Sequence, residues 1–279
     1  MTPTHPIRIA AAQAQAMPGD VDANAATVAA MVTQAGADVI VFPEKFLTGY
    51  EPALIQSAPT RHAVQRDDPR LTPITTACRE TATVAIVGAA VLDEDDLYVS
   101  ALVIGRDGRL VTRYDKQMLF KHEQQVYRPG KAGCTLDVDG WRLGLGICYD
   151  SGFPEHARAA ALDGCHAYVV GALFSVGHGY HESRTWFPAR ALDNTCYAVL
   201  SNHIGRTGGW DTCGASAIWG PDGHLITEAS PTHPEIITAT LDPHTLQTTR
   251  ATETLLHDLT HHPLPPTPRT HHAIPHPRP

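Results

Sequence analysis

The sequence predicts an α/β protein built on a mixed sheet. Short runs such as IRIAAAQ (7–13), ADVIVFPE (37–44) and AIVGAAVLD (85–93) are almost continuously apolar, as strands buried on both faces are. Between several of them lie stretches with apolar residues at helical spacing, the mark of helices that cover a sheet. Two hairpin signals add antiparallel strands to that alternating plan.

Taken in order, residues 7–13 read as the first strand. Val21 to Ala35 carries Ala, Val and Met at helical spacing, and Gly36 can close it. Residues 37–44 form a buried strand ending at a carboxylate. Residues 72–84 read as a helix and 85–93 as a strand. LYVSALVIGRDGRLVTRYDK (97–116) is two strands joined by Arg-Asp-Gly. WRLGLGICYD (141–150) is the next strand, and FPEHARAAALDG (153–164) a helix stopped by Gly164. A strand over 166–174, a helix over 183–195 with Pro188 near its first turns, and a strand over 196–205 follow. CGASAIWGPDGHLITEAS (213–230) is a hairpin over Gly-Pro-Asp-Gly, and EIITATL (235–241) is the last strand.

No linker-like stretch appears before residue 250, so residues 1–256 read as one domain. From His257 the chain turns Pro- and His-rich, and 257–279 is expected to be an extended tail. Its six histidines lack fixed ligand geometry, which favours a solvated or partner-wrapping tail over a metal site.

Composition narrows the function. A chain of 279 residues has length for a sizeable core. A net charge of −8 argues against a general nucleic-acid binder. No apolar run approaches the roughly 18 residues that span a membrane, and the N-terminus lacks a basic region leading into a long apolar segment. Six cysteines without a CxxC fit reduced thiols in a cytoplasmic protein better than a disulfide framework or a zinc site.

Three polar residues fall at predicted strand ends: Glu44 after ADVIVFP, Lys116 after RLVTRYD and Cys148 after RLGLGI. Ligands collect at the carboxyl ends of strands in α/β sheets. Alone, Cys148 reads more readily as a small core residue than as a nucleophile, and Glu44 and Lys116 more readily as solvated rim charges than as reagents. Together they supply what thiol chemistry on an acyl group requires: a base for the thiol, a nucleophile, and a cation for the developing oxyanion.

Five blocks give the chain a family resemblance: FPEKFLTGY (42–50), YDKQMLFKHEQQVYRPG (114–130), GICYDSGFPEHAR (146–158), RALDNTCYAVLSNHIG (190–205) and GASAIWGPDGHLI (214–226). The chain resembles the nitrilase superfamily of carbon–nitrogen hydrolases over about residues 7–241. That resemblance implies an α-β-β-α sandwich, often paired into an α-β-β-α-α-β-β-α dimer. It implies Glu44 as general base, Cys148 as nucleophile, and Lys116 with the backbone N–H of Tyr149 as oxyanion donors. Glu123 matches a second glutamate that orients substrate and lysine. Tyr50, Ala172 and Phe174 match positions lining the acyl pocket. No metal or organic cofactor is implied. Asp150, Glu155 and Arg158 are expected to support the turn and helix start.

Cys-Tyr-Asp resembles the amidase and carbamoylase branches, whereas nitrile-cleaving members typically carry Cys-Trp-Glu. The expected reaction is therefore hydrolysis of a small-molecule amide through a cysteine thioester, releasing ammonia or an amine. N-carbamoyl amide hydrolysis, soluble acyl transfer and a non-catalytic binding role are the alternatives. Many relatives read CYDLRFPE where this chain reads CYDSGFPE, so Ser151 and Gly152 replace a Leu-Arg pair. Lys45 stands where an apolar residue is common, and strand-end geometry is expected to turn it away from the site. HGYHESRTW (178–186) is placed at the pocket mouth, which would suit a polar or anionic substrate. A homodimer or higher homo-oligomer is expected, with no nucleic-acid or membrane partner.

Overall fold

The computed structural model describes residues 3–262. In chain order the first half contains β1 (Ile7–Gln13), α1 (Val21–Ala35), β2 (Val39–Val41), α2 (Pro52–Ser57), α3 (Pro59–His62), α4 (Thr72–Thr81), β3 (Val84–Asp93), β4 (Asp96–Ile104) and β5 (Leu110–Asp115). The second half contains β6 (Thr135–Val138), β7 (Trp141–Ile147), α5 (Pro154–Leu162), β8 (Ala167–Ala172), α6 (His178–Asn194), β9 (Tyr197–Asn202), the short pair β10 (Arg206–Thr207) and β11 (Trp210–Asp211), β12 (Ala217–Trp219), β13 (Leu225–Glu228), β14 (Glu235–Leu241), α7 (Pro243–Thr252) and α8 (Leu255–His261).

Two six-stranded sheets result, ordered β14-β1-β2-β3-β4-β5 and β13-β12-β9-β8-β7-β6. Each has a parallel centre, β1-β2-β3 or β7-β8-β9, flanked by antiparallel strands. The period-two alternation of strand side chains explains the layering. Ile7, Ile9 and Ala11 join the core that also holds Leu143, Leu145, Ile147 and Val169 of the second sheet. Ala10 and Ala12 of the same strand face the opposite way, onto Val28 and Val32 of α1 and Ile74 of α4. On the far side, Tyr168 and Val170 of β8 pack with Ala157 of α5 and Phe187 of α6. The order is helices, sheet, sheet, helices, the expected α-β-β-α sandwich.

Several elements differ from expectation, each for a local reason. β2 stops at Val41 because Pro43 has no N–H for a sheet ladder and the chain turns over residues 43–48. β7 stops at Ile147; Cys148–Gly152 form a 3₁₀ turn closed by the Asp150 carboxylate, which accepts from the Ile147 N–H at 3.0 Å. α6 begins at His178, five residues early, so Pro188 lies well inside it rather than near its first turns. Its start has no side-chain cap; instead Gly179 packs where a Cβ would come within 2.9 Å of Ser175 Oγ. α7 is not among the elements expected from the sequence; it starts at Pro243 behind Asp242, whose carboxylate accepts from His244 N–H and Thr245 N–H. Residues 257–261 are helical, as part of α8, rather than extended. The rest of the predicted tail, 263–279, lies outside the described residues. Among the described residues no helix is long and apolar enough to cross a membrane.

Candidate active site

Glu44 is held from three sides. The Phe42–Lys45 backbone runs between Gly88 of β3 and Gly171 of β8: a Cβ on Gly88 would come within 2.1 Å of Pro43 O, and one on Gly171 within 2.3 Å of Phe42 O. Only glycine lets strands from both sheets approach a backbone this closely. From β9's end, His203 Nε2 donates to Glu44 O at 2.6 Å. Burial pushes the His203 imidazole down to about 4, so it is neutral near pH 7, and the hydrogen bond puts its proton on Nε2.

Lys116 leaves β5 with its N–H bonded to Val99 O at 2.8 Å. Its Nζ lies 2.7 Å from both Glu44 Oε1 and Glu123 Oε2. Glu123 rises from a 3₁₀ turn over Lys121–Gln125 and also accepts the Phe120 N–H at 2.8 Å and the Tyr50 hydroxyl at 2.9 Å. Lys45 corrects the expectation. It is fully buried, and its Nζ lies 3.2 Å from Glu123 Oε1 and 3.4 Å from the Tyr50 ring centroid. The residue has φ +49°, in the left-handed region, and its side chain is directed into the site.

Cys148 heads its 3₁₀ turn at φ +45°, again in the left-handed region, a strained conformation for a residue with a Cβ. Asp150 fixes that turn to the lysine segment: it accepts from Met118 N–H at 2.8 Å and the Tyr114 hydroxyl at 2.7 Å, besides Ile147 N–H. The loop two residues beyond Lys116 is thereby tied to the turn of Cys148. Arg190 of α6 holds the turn's other end, donating to Ser151 O and Gly152 O at 3.0 Å each. Glu155, by contrast, is an exposed residue in the first turn of α5.

The electrostatics separate the groups. Burial pushes the Cys148 thiol well up, and the nearby Glu44 carboxylate adds to this, so the resting sulfur is protonated. Burial likewise pushes Glu44 up to about 7, against the pull of Lys116. Glu123 is also buried, but Lys116, Lys45 and the Phe120 N–H hold its carboxyl far below the usual range. One oxygen of Glu44 bonds Lys116; the other, Oε2, is buried and accepts no hydrogen bond among the described residues. A carboxyl that titrates near neutrality and has an open oxygen thus lies close enough to act electrostatically on a thiol that burial keeps protonated.

Cys148 opens into a cavity of about 410 Å³. Tyr50, Tyr149 and Phe174 line it as expected, joined by Phe120, Leu173, Trp186 and Trp210. Ala172 does not line it. Strand alternation turns Ala172 into the core beneath α5 and α6, and Leu173 takes the cavity side. The Phe174 strand end is clamped by Asn202, which accepts from Phe174 N–H at 2.7 Å. His178, Glu182 and Trp186 reach the cavity from successive turns of α6, as the placement of HGYHESRTW anticipates, but the acidic Glu182 there runs counter to an anionic substrate. Gly152 has a direct consequence for the wall: a Cβ at that position would lie 3.1 Å from the Trp186 indole, so the glycine makes room for the ring. Trp210 carried no sequence signal, while Phe120, Trp186 and His203 fall in stretches the sequence singles out without marking these residues themselves; each becomes a site residue only through the folding of a distant segment.

The sequence profile of carbon-nitrogen hydrolases matches residues 8–251. The chain belongs to this family. Among carbon-nitrogen hydrolases and their relatives, a hydrolase of Pseudomonas protegens is 31% identical over 90% of this chain and 88% of its own length. An (R)-stereoselective amidase of a Pseudomonas species is 31% identical over 73% of each chain. The amidase of Nesterenkonia sp. AN1, solved as a cysteine-to-alanine mutant with butyramide, superposes with a TM-score of 0.78 at 26% identity, covering 88% of this chain and 95% of that one. Saccharomyces cerevisiae Nit3, a nitrilase-superfamily member, superposes at 0.80 with 25% identity over 90% and 95%. This carbon-nitrogen hydrolase thus has the nitrilase-superfamily sandwich, and the solved amidase relatives include cysteine mutants and forms with an acetamide moiety covalently added at the active-site cysteine of that amidase.

Proposed function

We propose that the protein hydrolyses a small amide with a neutral, largely apolar acyl group through a thioester on Cys148. The observation that carries this reading is the open oxygen of Glu44, buried beside a protonated thiol and a lysine already bonded to the same carboxylate. Glu44 Oε2 takes the Sγ proton, and the thiolate attacks the amide carbonyl carbon. The carbonyl oxygen gains the electron pair and is held by Lys116 Nζ and the Tyr149 N–H. Glu44 returns its proton to the amide nitrogen, the carbon–nitrogen bond breaks, and ammonia or an amine leaves. A water then gives a proton to Glu44 and attacks the thioester, and collapse releases the acid and restores the thiol. No step calls on a cofactor.

Aromatic walls support the neutral acyl group. Trp186, Phe174 and Tyr149 offer apolar surface, whereas the buried ammonium groups Lys45 and Lys116 are already engaged with Glu123 and Glu44. A substrate carboxylate would also meet Glu182.

Ammonia release is to be measured over aliphatic and aryl amides, carboxylate-bearing ω-amides, carbamoyl compounds and nitriles, with hydroxylamine as a competing acceptor. Neutral amides should turn over fastest, with an acyl adduct on Cys148 by mass spectrometry and no release from Cys148→Ala. Preference for ω-amides would overturn the substrate class. Turnover retained in Cys148→Ala would overturn the mechanism.

A further inference from the structure

Lys45 takes no part in the steps above, yet it is among the most completely buried charges in the molecule. Its ammonium lies 3.2 Å from Glu123 Oε1, against the Tyr50 ring, and 4.8 Å from the Tyr127 ring centroid. Glu123 divides its two oxygens accordingly. Oε1 accepts from Lys45 and the Tyr50 hydroxyl, and Oε2 from Lys116 and the Phe120 N–H. With all four groups ionised, the two ammonium groups and two carboxylates of the buried cluster sum to zero; burial pushes the Lys45 pKa down, and Glu123 and Glu44 act against that. Without Lys45, Lys116 would be the single cation facing both carboxylates, and the cluster would carry a net negative charge.

We propose that Lys45 is a positioning residue whose buried ammonium keeps the cluster neutral, so that Lys116 remains shared with Glu44 and the base stays empty for the thiol proton. The physical reason is charge balance. A buried cluster left with one excess negative charge takes up a proton from solvent. Glu123 would still keep three donors, Lys116, the Tyr50 hydroxyl and the Phe120 N–H, so that proton goes to Glu44. A base already filled from solvent cannot receive the proton of Cys148. The groups facing Glu44 are Lys45, Lys116, Glu123 and Cys148, with Tyr50, Tyr127 and neutral His203 as its uncharged neighbours.

This inference rests on the reading of Glu44 as base and Cys148 as nucleophile, and the test separates the two. Cys148 alkylation by iodoacetamide, located by mass spectrometry, is followed from pH 5 to 9 beside kcat/KM for an amide. Wild type, Lys45→Met, Lys45→Gln and Lys45→Arg are compared as full-length proteins. In Lys45→Met and Lys45→Gln the acid limb should move up by about one pH unit, giving about tenfold slower reaction below the limb. Lys45→Arg should return it towards the wild-type position. Gln still offers Glu123 a donor, so a purely structural role would be rescued by Gln, whereas a charge role would not. An unmoved limb in folded Lys45→Gln overturns the proposal. Should the neutral variants not fold, ¹⁵N NMR of the wild-type Lys45 side chain decides: a charged amine at pH 7 supports the proposal, and a neutral amine overturns it. A wild-type alkylation profile with no acid limb would instead defeat the underlying reading of Glu44 as base.

Discussion

On the side of the first sheet, Glu44, Lys45, Lys116 and Glu123 are at most 1% exposed and bonded to one another at 2.7–3.2 Å. On the side of the second sheet, Cys148, Phe174, Trp186 and Glu182 face a cavity of about 410 Å³, and their contacts are mostly aromatic. The charged wall has little freedom to change, because removing one ion from a dry cluster leaves its partner unpaired. The aromatic wall can be rebuilt residue by residue, because apolar surface tolerates changes of shape. In the proposed mechanism the first wall supplies the base and the cation, and the second supplies the nucleophile and the surfaces that select the substrate.

Breaking the charged wall should cost most. Lys116→Met removes the proposed oxyanion cation and the partner of two carboxylates. Amide turnover should fall by at least about 10³-fold, and stability at pH 8 by about 3 kcal/mol, read by steady-state kinetics and chemical denaturation. A variant retaining a tenth of wild-type activity would contradict the division of labour.

Gly171→Ala tests whether the scaffold around Glu44 matters as much as the charges. The added Cβ meets Phe42 O at 2.3 Å, so the turn carrying Glu44 must shift. A displacement of that kind should lower kcat by about 10²-fold, with KM for a small amide much less affected. Equal loss in kcat and KM would place the damage in the pocket instead.

The aromatic wall should respond differently. Trp186→Ala enlarges the cavity beside Gly152, so selectivity should shift towards bulkier acyl groups by about tenfold in kcat/KM, the scale set by a few methylenes of apolar contact. The acid limb of the pH profile should stay in place. A moved limb would mean that the two walls are coupled.

The smallest effect is a pH dependence of stability. The Glu44 carboxyl is raised from its ordinary 4.5 to about 7 in the folded state. Between those values the folded protein binds more protons than the unfolded chain, so this group makes stability fall as pH rises through the window. Glu123, held low, acts oppositely: its contribution is present above its unfolded value and lost on acidification. The loss of stability from pH 5 to 8 should therefore be smaller in Glu44→Gln than in wild type, measured by denaturant midpoints. An identical slope would place the Glu44 carboxyl at an ordinary value.

Strands β1, β3 and β9, the β4–β5 hairpin and the three strand-end residues were legible because burial on both faces leaves a nearly unbroken apolar run that stops where the polar residue begins. The limits of β2 and β7 were not, because Pro43 and the left-handed Cys148 end each strand while the sequence still reads apolar. Lys45 shows the same limit for a side chain. Its neighbour in sequence is Glu44, but its partner, Glu123, lies 78 residues away. Likewise, Leu173 in place of Ala172 is a matter of which face a strand end presents, and one residue reverses it.

What the sequence alone determined is the alternation of strands and helices and the order Glu44, Lys116, Cys148, since these depend on local periodicity and on residue types with few other uses at a strand end. Tertiary structure decided which groups share one small volume: the pairing of Lys45 with Glu123, the space that Gly152 leaves for Trp186, and the closeness of Gly88 and Gly171 to the turn of Glu44. Each of these is a distance between segments far apart in the chain, set by how two sheets stack, and local sequence carries no measure of it.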